Sequence, residues 1–275
     1  GRTLKDGEFT FEVKDKAGKV VATGSNKSDG SISFNNKLNY KLSDLEKADG
    51  SYESEKTYEY TVNEVIPEGA TAENNYTVNG VTYDNSIFTV KVIVSYDQAT
   101  GIMSAAFAED SQELIFDNTY DAKGSLTLEA SKTLKNKALE ADAFNFVLKD
   151  KNGETIQTVA NDADGNVTFS PLNYTLKDVG THVYTVSEVQ RENTEVTYDT
   201  TEYTVEVTVA DAGNGKLKVS KTIKKGDYTV DAIAFENIYK GVIDISGSKT
   251  WNDADNQDGI RPASITVKLF ANGTE

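Results

Sequence analysis

The chain has 275 residues, a formal net charge of −16 and no cysteine. The length fits about two average domains. The acidic balance argues against nucleic acid and anionic membrane surfaces as partners, because both need basic patches. The lack of cysteine excludes disulfides and thiolate metal sites.

No stretch approaches the roughly 18 consecutive apolar residues of a membrane span, so no membrane insertion is expected of this chain. Thr, Tyr, Val and Phe abound, prolines number three, and turn dipeptides recur at Asp29-Gly30, Asn79-Gly80, Asn152-Gly153 and Asp164-Gly165. These features point to an all-β protein of short strands. Gly1-Arg2-Thr3 is expected to enter a strand almost at once, and the chain reads as an excised piece of a longer one.

Taken in order, the elements occur twice. "FTFEVKDKAGKVV" (9–21) matches "FNFVLKDKNGETI" (144–156), and "LNYKLSDL" (38–45) matches "LNYTLKDV" (172–179). "YEYTVNEV" (58–65) matches "HVYTVSEV" (182–189), and "VTYDNSIFTVKVIV" (81–94) matches "VTYDTTEYTVEVTV" (196–209). "LIFDNTY" (114–120) matches "IAFENIY" (233–239). This is a tandem duplication. The second copy opens with "GSLTLEASKTL" (124–134), for which the first has no room before Phe9. The expected modules are therefore 1–121 (first strand missing), 122–240 (complete) and the truncated start of a third at 241–275. The short junctions imply stiff tandem packing.

Strand parity then marks three polar residues. Side chains alternate faces along a strand, so Glu188 shares the apolar face of Tyr184 and Val186. Lys132 likewise joins Leu126, Leu128 and Ala130, and Asn237 joins Ile233 and Phe235. A lone buried charge costs several kcal/mol unless paired or neutralised. One reading is a buried Lys–Glu ion pair with a hydrogen-bonded Asn. The other is that desolvation leaves Lys132 a neutral amine and Glu188 a neutral acid. The amine could then attack the Asn237 side-chain carbonyl while the acid polarises that carbonyl and relays protons. Ammonia would leave and an isopeptide bond would remain.

The triplet "SKTL…YTVSE…FENIY" resembles the pilin isopeptide-linkage repeats of Gram-positive bacterial surface proteins. The resemblance covers nearly all of residues 1–240. It implies tandem, elongated immunoglobulin-like β-sandwich modules, with Lys132 and Asn237 as the crosslinked pair and Glu188 as the catalytic glutamate. The segment "SGSKTWNDADNQDGIRPASITVKLFANG" resembles the start of a Cna B-type domain, in which Lys249 would be the linking lysine. In the first copy Glu64 and Asn118 match Glu188 and Asn237, but the lysine has no counterpart. Lys5 is the nearest and falls past the expected strand, so no bond is expected there.

The resemblance further implies a structural stalk segment of a cell-wall-anchored adhesin or pilin. It would be extracellular and would act as an enzyme only in a single self-crosslinking turnover. Its partners would be neighbouring modules of the same chain, with sortase and peptidoglycan engaged through regions outside this segment. The alternative is a ligand-binding adhesin module contacting a host protein or glycan. No cofactor or metal is expected. The loops "NDADG" (161–165) and "NDADNQDG" (252–259) space carboxylates as calcium loops do, but lack a well-placed bidentate Glu or fall at a hairpin turn. His182 reads as structural, and Trp251 as packing inside the third module. A missing strand at one end and an orphan strand at 241–249 would also permit strand exchange between chains.

Overall fold

In the second repeat, alternating apolar residues place one face of each strand in a shared core. A computed structural model describes residues 2–193, 195–241, 243 and 245–270. One sheet has six antiparallel strands in the order Thr155–Ala160, Asn145–Lys149, Gly180–Glu188, Glu202–Asp211, Leu217–Lys225 and Tyr228–Val230. A second sheet runs Asn166–Thr168, Glu129–Lys135, Ile233–Tyr239 and Val196–Thr197. Its central pair, the lysine strand Glu129–Lys135 and the asparagine strand Ile233–Tyr239, is parallel, with Lys132 opposite Phe235 and Leu134 opposite Asn237. Between the sheets lie Leu128, Phe146, Leu148, Val167, Val186 and Val205, all fully buried. Each such side chain contributes about 1.5–3 kcal/mol. This is an immunoglobulin-like sandwich, all-β as the composition indicates.

The stretch 124–134 differs from the single strand that its parity pattern suggests. Lys123–Leu126 pairs with Leu172–Thr175, whereas Glu129–Lys135 crosses to the other sheet. Leu128, at the crossing, is sealed in the core, so parity survives the change of partner.

The first repeat also has a six-stranded sheet, Ile32–Phe34, Val20–Asn26, Thr10–Asp15, Glu55–Glu64, Ile87–Asp97 and Ile102–Phe107, which shares five strands with that of the second; its sixth, Ile32–Phe34, stands at the opposite edge from Tyr228–Val230. Among the described residues, the other strands of this repeat are Thr77–Val78, Val81–Thr82 and Thr119–Tyr120, which form a three-stranded sheet. Among the described residues nothing takes the place of the lysine strand, and residues 111–118, which match the asparagine strand region, form no strand. The chain does not enter a strand at once. Residues 2–9 form no strand, with a turn at Asp6-Gly7, and Asn26 ties them down by accepting from the Phe9 amide (2.7 Å) and donating to the Lys5 carbonyl (2.7 Å). Asn161 does the same for Phe144 and Glu140 in the second repeat.

The repeats meet through two glycine turns. A Cβ on Gly80 would fall 2.3 Å from the Asp121 carbonyl oxygen and 2.4 Å from the Gly215 Cα. The Asp121 amide donates to the Gly80 carbonyl (2.9 Å), and the Tyr120 hydroxyl donates to Asp211 (2.7 Å).

Beyond Lys240 the described residues form no strand. The orphan strand expected at 241–249 is absent from its described residues, since a lone strand has no ladder to join, while Val242 and Asp244 lie outside the described set. Trp251 is 42% exposed instead of packed away, with the cations of Lys249 and Arg261 over its ring at 3.8 and 5.8 Å.

Candidate functional site

Three strands deliver Lys132, Glu188 and Asn237 to one point between the sheets of the second repeat. The Lys132 and Glu188 side chains have 0% exposure, and Asn237 is fully buried. One carboxylate joins the other two groups. Glu188 Oε2 accepts from Lys132 Nζ at 2.8 Å, and Oε1 accepts from Asn237 Nδ2 at 2.6 Å. The rings of Phe144 and Phe146 lie 4.6 and 6.0 Å from Nζ. Burial lowers the lysine pKa and raises that of the glutamate, each against the hydrogen bond between them. Both shifts favour the uncharged forms.

The orientation of the Asn237 amide follows from its other partner. Its Oδ1 accepts the Asp199 backbone N–H at 2.8 Å, and a flipped amide would point N–H at N–H. The glutamate therefore faces the amide nitrogen. The Asn237 carbonyl oxygen is hydrogen-bonded by the Asp199 amide and not by Glu188. Asp199 is itself fixed, its carboxylate accepting from the amides of Thr201 (2.9 Å) and Glu236 (3.0 Å). Burial opposes its ionisation, but hydrogen bonds from Thr201 and the Glu236 amide prevail and hold it below the ordinary range. Sequence reasoning missed this residue, although "VTYD" stands in both copies.

The first repeat repeats the arrangement with one member missing. Glu64 is buried and accepts from Asn118 Nδ2 at 2.8 Å through Oε1. Asn118 Oδ1 accepts the Asp84 amide at 2.7 Å. Glu64 Oε2 is buried with no hydrogen-bond partner. Desolvation raises Glu64 to about 7, with Asn118 acting against the shift. Lys5 lies exposed, its backbone held by Asn26. Lys249 is also exposed, against Trp251.

The other candidates have ordinary partners. His182 Nε2 lies 2.7 Å from the Asp178 carbonyl, and its ring packs on Tyr174 and Tyr184. In the 161–165 loop, Asp162 accepts from the amides of Asp164 and Asn166. In the 252–259 loop, Asp253 takes both Nε (3.0 Å) and a terminal nitrogen (2.5 Å) of Arg261. Among the described residues, no three metal-ligating side chains gather, and no helix is long and apolar enough to cross a membrane.

Fold and site together define a tandem β-sandwich protein with a buried lysine–glutamate–asparagine triad in one repeat and a glutamate–asparagine pair in the other. The chain belongs to the FctA family, the Spy0128-like isopeptide containing domain, which matches residues 1–121 and again 128–240. A Cna protein B-type domain matches residues 245–275. A collagen adhesin of Staphylococcus aureus is 62% identical over 29 residues, which are 10% of this chain and 2% of that protein. Among solved structures, the major pilin of Streptococcus pyogenes is 16% identical, with 86% of this chain and 92% of that one covered and a TM-score of 0.30. The pilus adhesin SpaC of Lactobacillus rhamnosus GG is 14% identical, with 86% and 29% covered and a TM-score of 0.29. Overlaps at these scores carry no weight of their own.

Proposed function

We propose that this chain is a stalk segment of a cell-wall-anchored surface adhesin or pilin, locked by an amide bond between Lys132 and Asn237. Its modules are 1–121, 122–240 and the start of a third at 241–275. The family is one of structural pilin and adhesin domains, and self-crosslinking would be a single turnover within it. The observation that carries the reading is the Glu188 carboxylate, which bridges Lys132 Nζ and Asn237 Nδ2 in a site closed to water.

The chemistry follows from that bridge. Lys132 acts as the neutral amine and attacks Asn237 Cγ, while the Asp199 N–H stabilises the oxygen as it gains charge. Nζ gives up a proton to Oε2 as Oε1 delivers one to the departing nitrogen. The carboxyl group ends as it began, ammonia leaves, and an amide joins the side chains. Glu188 thus works as a general acid and base at once. In chain order the lysine and asparagine strands are the first and last of the second sheet, so the bond would span nearly the whole repeat. Sortase and peptidoglycan would act on regions outside this segment, and other subunits or modules would be its neighbours.

Intact mass spectrometry tests the reading. The wild-type chain is expected to weigh one ammonia less than its sequence, and Glu188→Ala to recover the full mass. A wild type at full mass would reduce the triad to a buried polar cluster.

A further inference from the structure

The stretch "VTYD" occurs at 81–84 and again at 196–199. In the second repeat, Val196 and Thr197 pair with Tyr239 and Ile238 of the asparagine strand, and the ladder then stops. Two residues on, Asp199 continues the pairing with its side chain. One carboxylate oxygen accepts the Glu236 amide (3.0 Å) and the other accepts the Thr201 amide (2.9 Å). With that bond supplied by the side chain, the Asp199 N–H is left to reach Asn237 Oδ1 (2.8 Å). A single residue thus grips two neighbours, Glu236 by its backbone and Asn237 by its side chain.

The first repeat builds the same grip. Val81 and Thr82 pair with Tyr120 and Thr119. The Asp84 carboxylate accepts the amides of Asp117 (2.9 Å) and Ser86 (2.9 Å), while the Asp84 N–H donates to Asn118 Oδ1 (2.7 Å). The tyrosine of each stretch has a matching task. Tyr198 meets Phe144 edge-on at 5.8 Å, as Tyr83 meets Phe9 at 5.8 Å, and Phe144 is the ring 4.6 Å from Lys132 Nζ. The partners differ between repeats, Thr201 against Ser86 and Glu236 against Asp117, yet the bonds are the same. The arrangement therefore belongs to the turn itself.

Its use follows from what Glu188 cannot do alone. An ionised carboxylate only accepts hydrogen bonds, and would hold the Asn237 nitrogen toward itself. A neutral carboxyl both donates and accepts, and desolvation pushes Glu188 toward that form. In it, Glu188 can bond either end of the Asn237 amide. The Asp199 N–H can only donate, so it tells oxygen from nitrogen. An amide rotated by half a turn would set its nitrogen against the Asp199 N–H and its oxygen on Glu188. The nitrogen would then lack a carboxyl to supply the proton with which it leaves.

We propose that Asp199 is a positioning residue for the crosslink. Its carboxylate latches the turn to the asparagine strand at Glu236, and so holds its own N–H on Asn237 Oδ1 and the leaving nitrogen on Glu188. Because the latch closes on a backbone amide of the asparagine strand, Asn237 is aligned only once that strand has docked in register. The inference rests on the crosslinking chemistry proposed above, and the two can fail separately.

The chain is made by cell-free translation and weighed at intervals, as wild type, Asp199→Asn and Asp199→Ala. Asparagine at this position can still accept the Thr201 amide, but it turns a donor toward the Glu236 amide and opens the latch. Both variants should lose ammonia about tenfold to a hundredfold more slowly than the wild type. Orientation is read by NMR in a Lys132→Met background, which cannot react. That background leaves Glu188 Oε2 without its lysine, as Glu64 Oε2 is without a partner in the first repeat. The Asn237 side-chain amide should give one pair of proton resonances with aspartate at 199. With asparagine there, a second or exchange-broadened pair is expected, while the strand Gly180–Glu188 keeps its protection from hydrogen exchange. Equal rates of ammonia loss with aspartate and asparagine at 199 would overturn the inference. So would a slower loss with the Asn237 amide still in one orientation, or with the protection of Gly180–Glu188 gone, since Asp199 would then serve folding alone. A wild type that never loses ammonia would overturn the crosslink and any part for Asp199 in it. A second Asn237 orientation in the unlatched variant would tell that failure from a failure of the latch.

Discussion

At the scale of single residues, the two glutamates sit in the same frame with different company. Glu188 has an ammonium or amine on one oxygen and an amide on the other, whereas Glu64 has only the amide. Desolvation lifts Glu64 from 4.5 to about 7. The folded state therefore binds that proton more tightly than the unfolded chain does, and folding takes it up between those values. Stability from this group is complete below about 4.5 and is lost as pH rises through about 7, on the order of 3 kcal/mol in all. The aspartates of the same repeat whose pKa is lowered, such as Asp29, Asp49 and Asp97, start from 3.8. They are ionised in both states over this window and do not offset the trend. Hydrogen exchange of the strand Glu55–Glu64 is thus expected to show less protection free energy at pH 8 than at pH 5. Glu64→Gln should flatten that dependence. Equal protection at both values in the wild type would mean that water reaches the carboxylate. Glu64 and Glu188 were legible because strand parity forces a polar residue into the core. Asp199 and Asn161 were not, because they act through backbone amides whose positions follow from the turns, and parity says nothing about turns.

Elements were legible where one strand keeps one face and one partner. The glutamate strand Gly180–Glu188 is buried at alternate positions from Tyr184 on, as its sequence demands. The stretch 124–134 kept its parity but changed sheets, and the described residues of the segment after Lys240 form no strand. Pairing depends on which edge is free, and a sequence window does not contain its partner. The junction between the repeats depends on such a pairing of turns. Gly80 has φ of +80°, and its Cβ would collide with backbone on two sides, so neither strain nor overlap can be relieved by turning a side chain. Gly80→Ala should cost about 1–3 kcal/mol at this contact. The repeats themselves, whose cores lie elsewhere, should keep their own protection. Exchange of the Asp121 amide, which donates to the Gly80 carbonyl, is the readout, with an acceleration of about tenfold or more expected. An unchanged rate would show that the two turns do not hold the repeats together.

For the whole molecule, the parallel pairing of the lysine and asparagine strands decides how tension is carried. Force enters the second repeat ahead of Glu129 and leaves after Tyr239, so it shears this pair lengthwise. An amide between Lys132 and Asn237 would pass the load from one strand to the other and leave residues 133–236 slack. The closed loop of about 100 residues would also remove chain entropy from the unfolded state, worth about 4–5 kcal/mol by analogy with disulfides. Stretching single molecules separates the mechanical role from the thermal one. The first repeat, with no lysine beside Glu64, should unravel completely in every variant. The second should add almost nothing in the wild type. Glu188→Ala should release the hidden loop and lengthen the fully extended chain by about 350 Å, taking about 100 residues at roughly 3.5 Å each. Equal extended lengths for the two proteins would mean that the second repeat unfolds under load like the first, and that its buried triad serves packing alone.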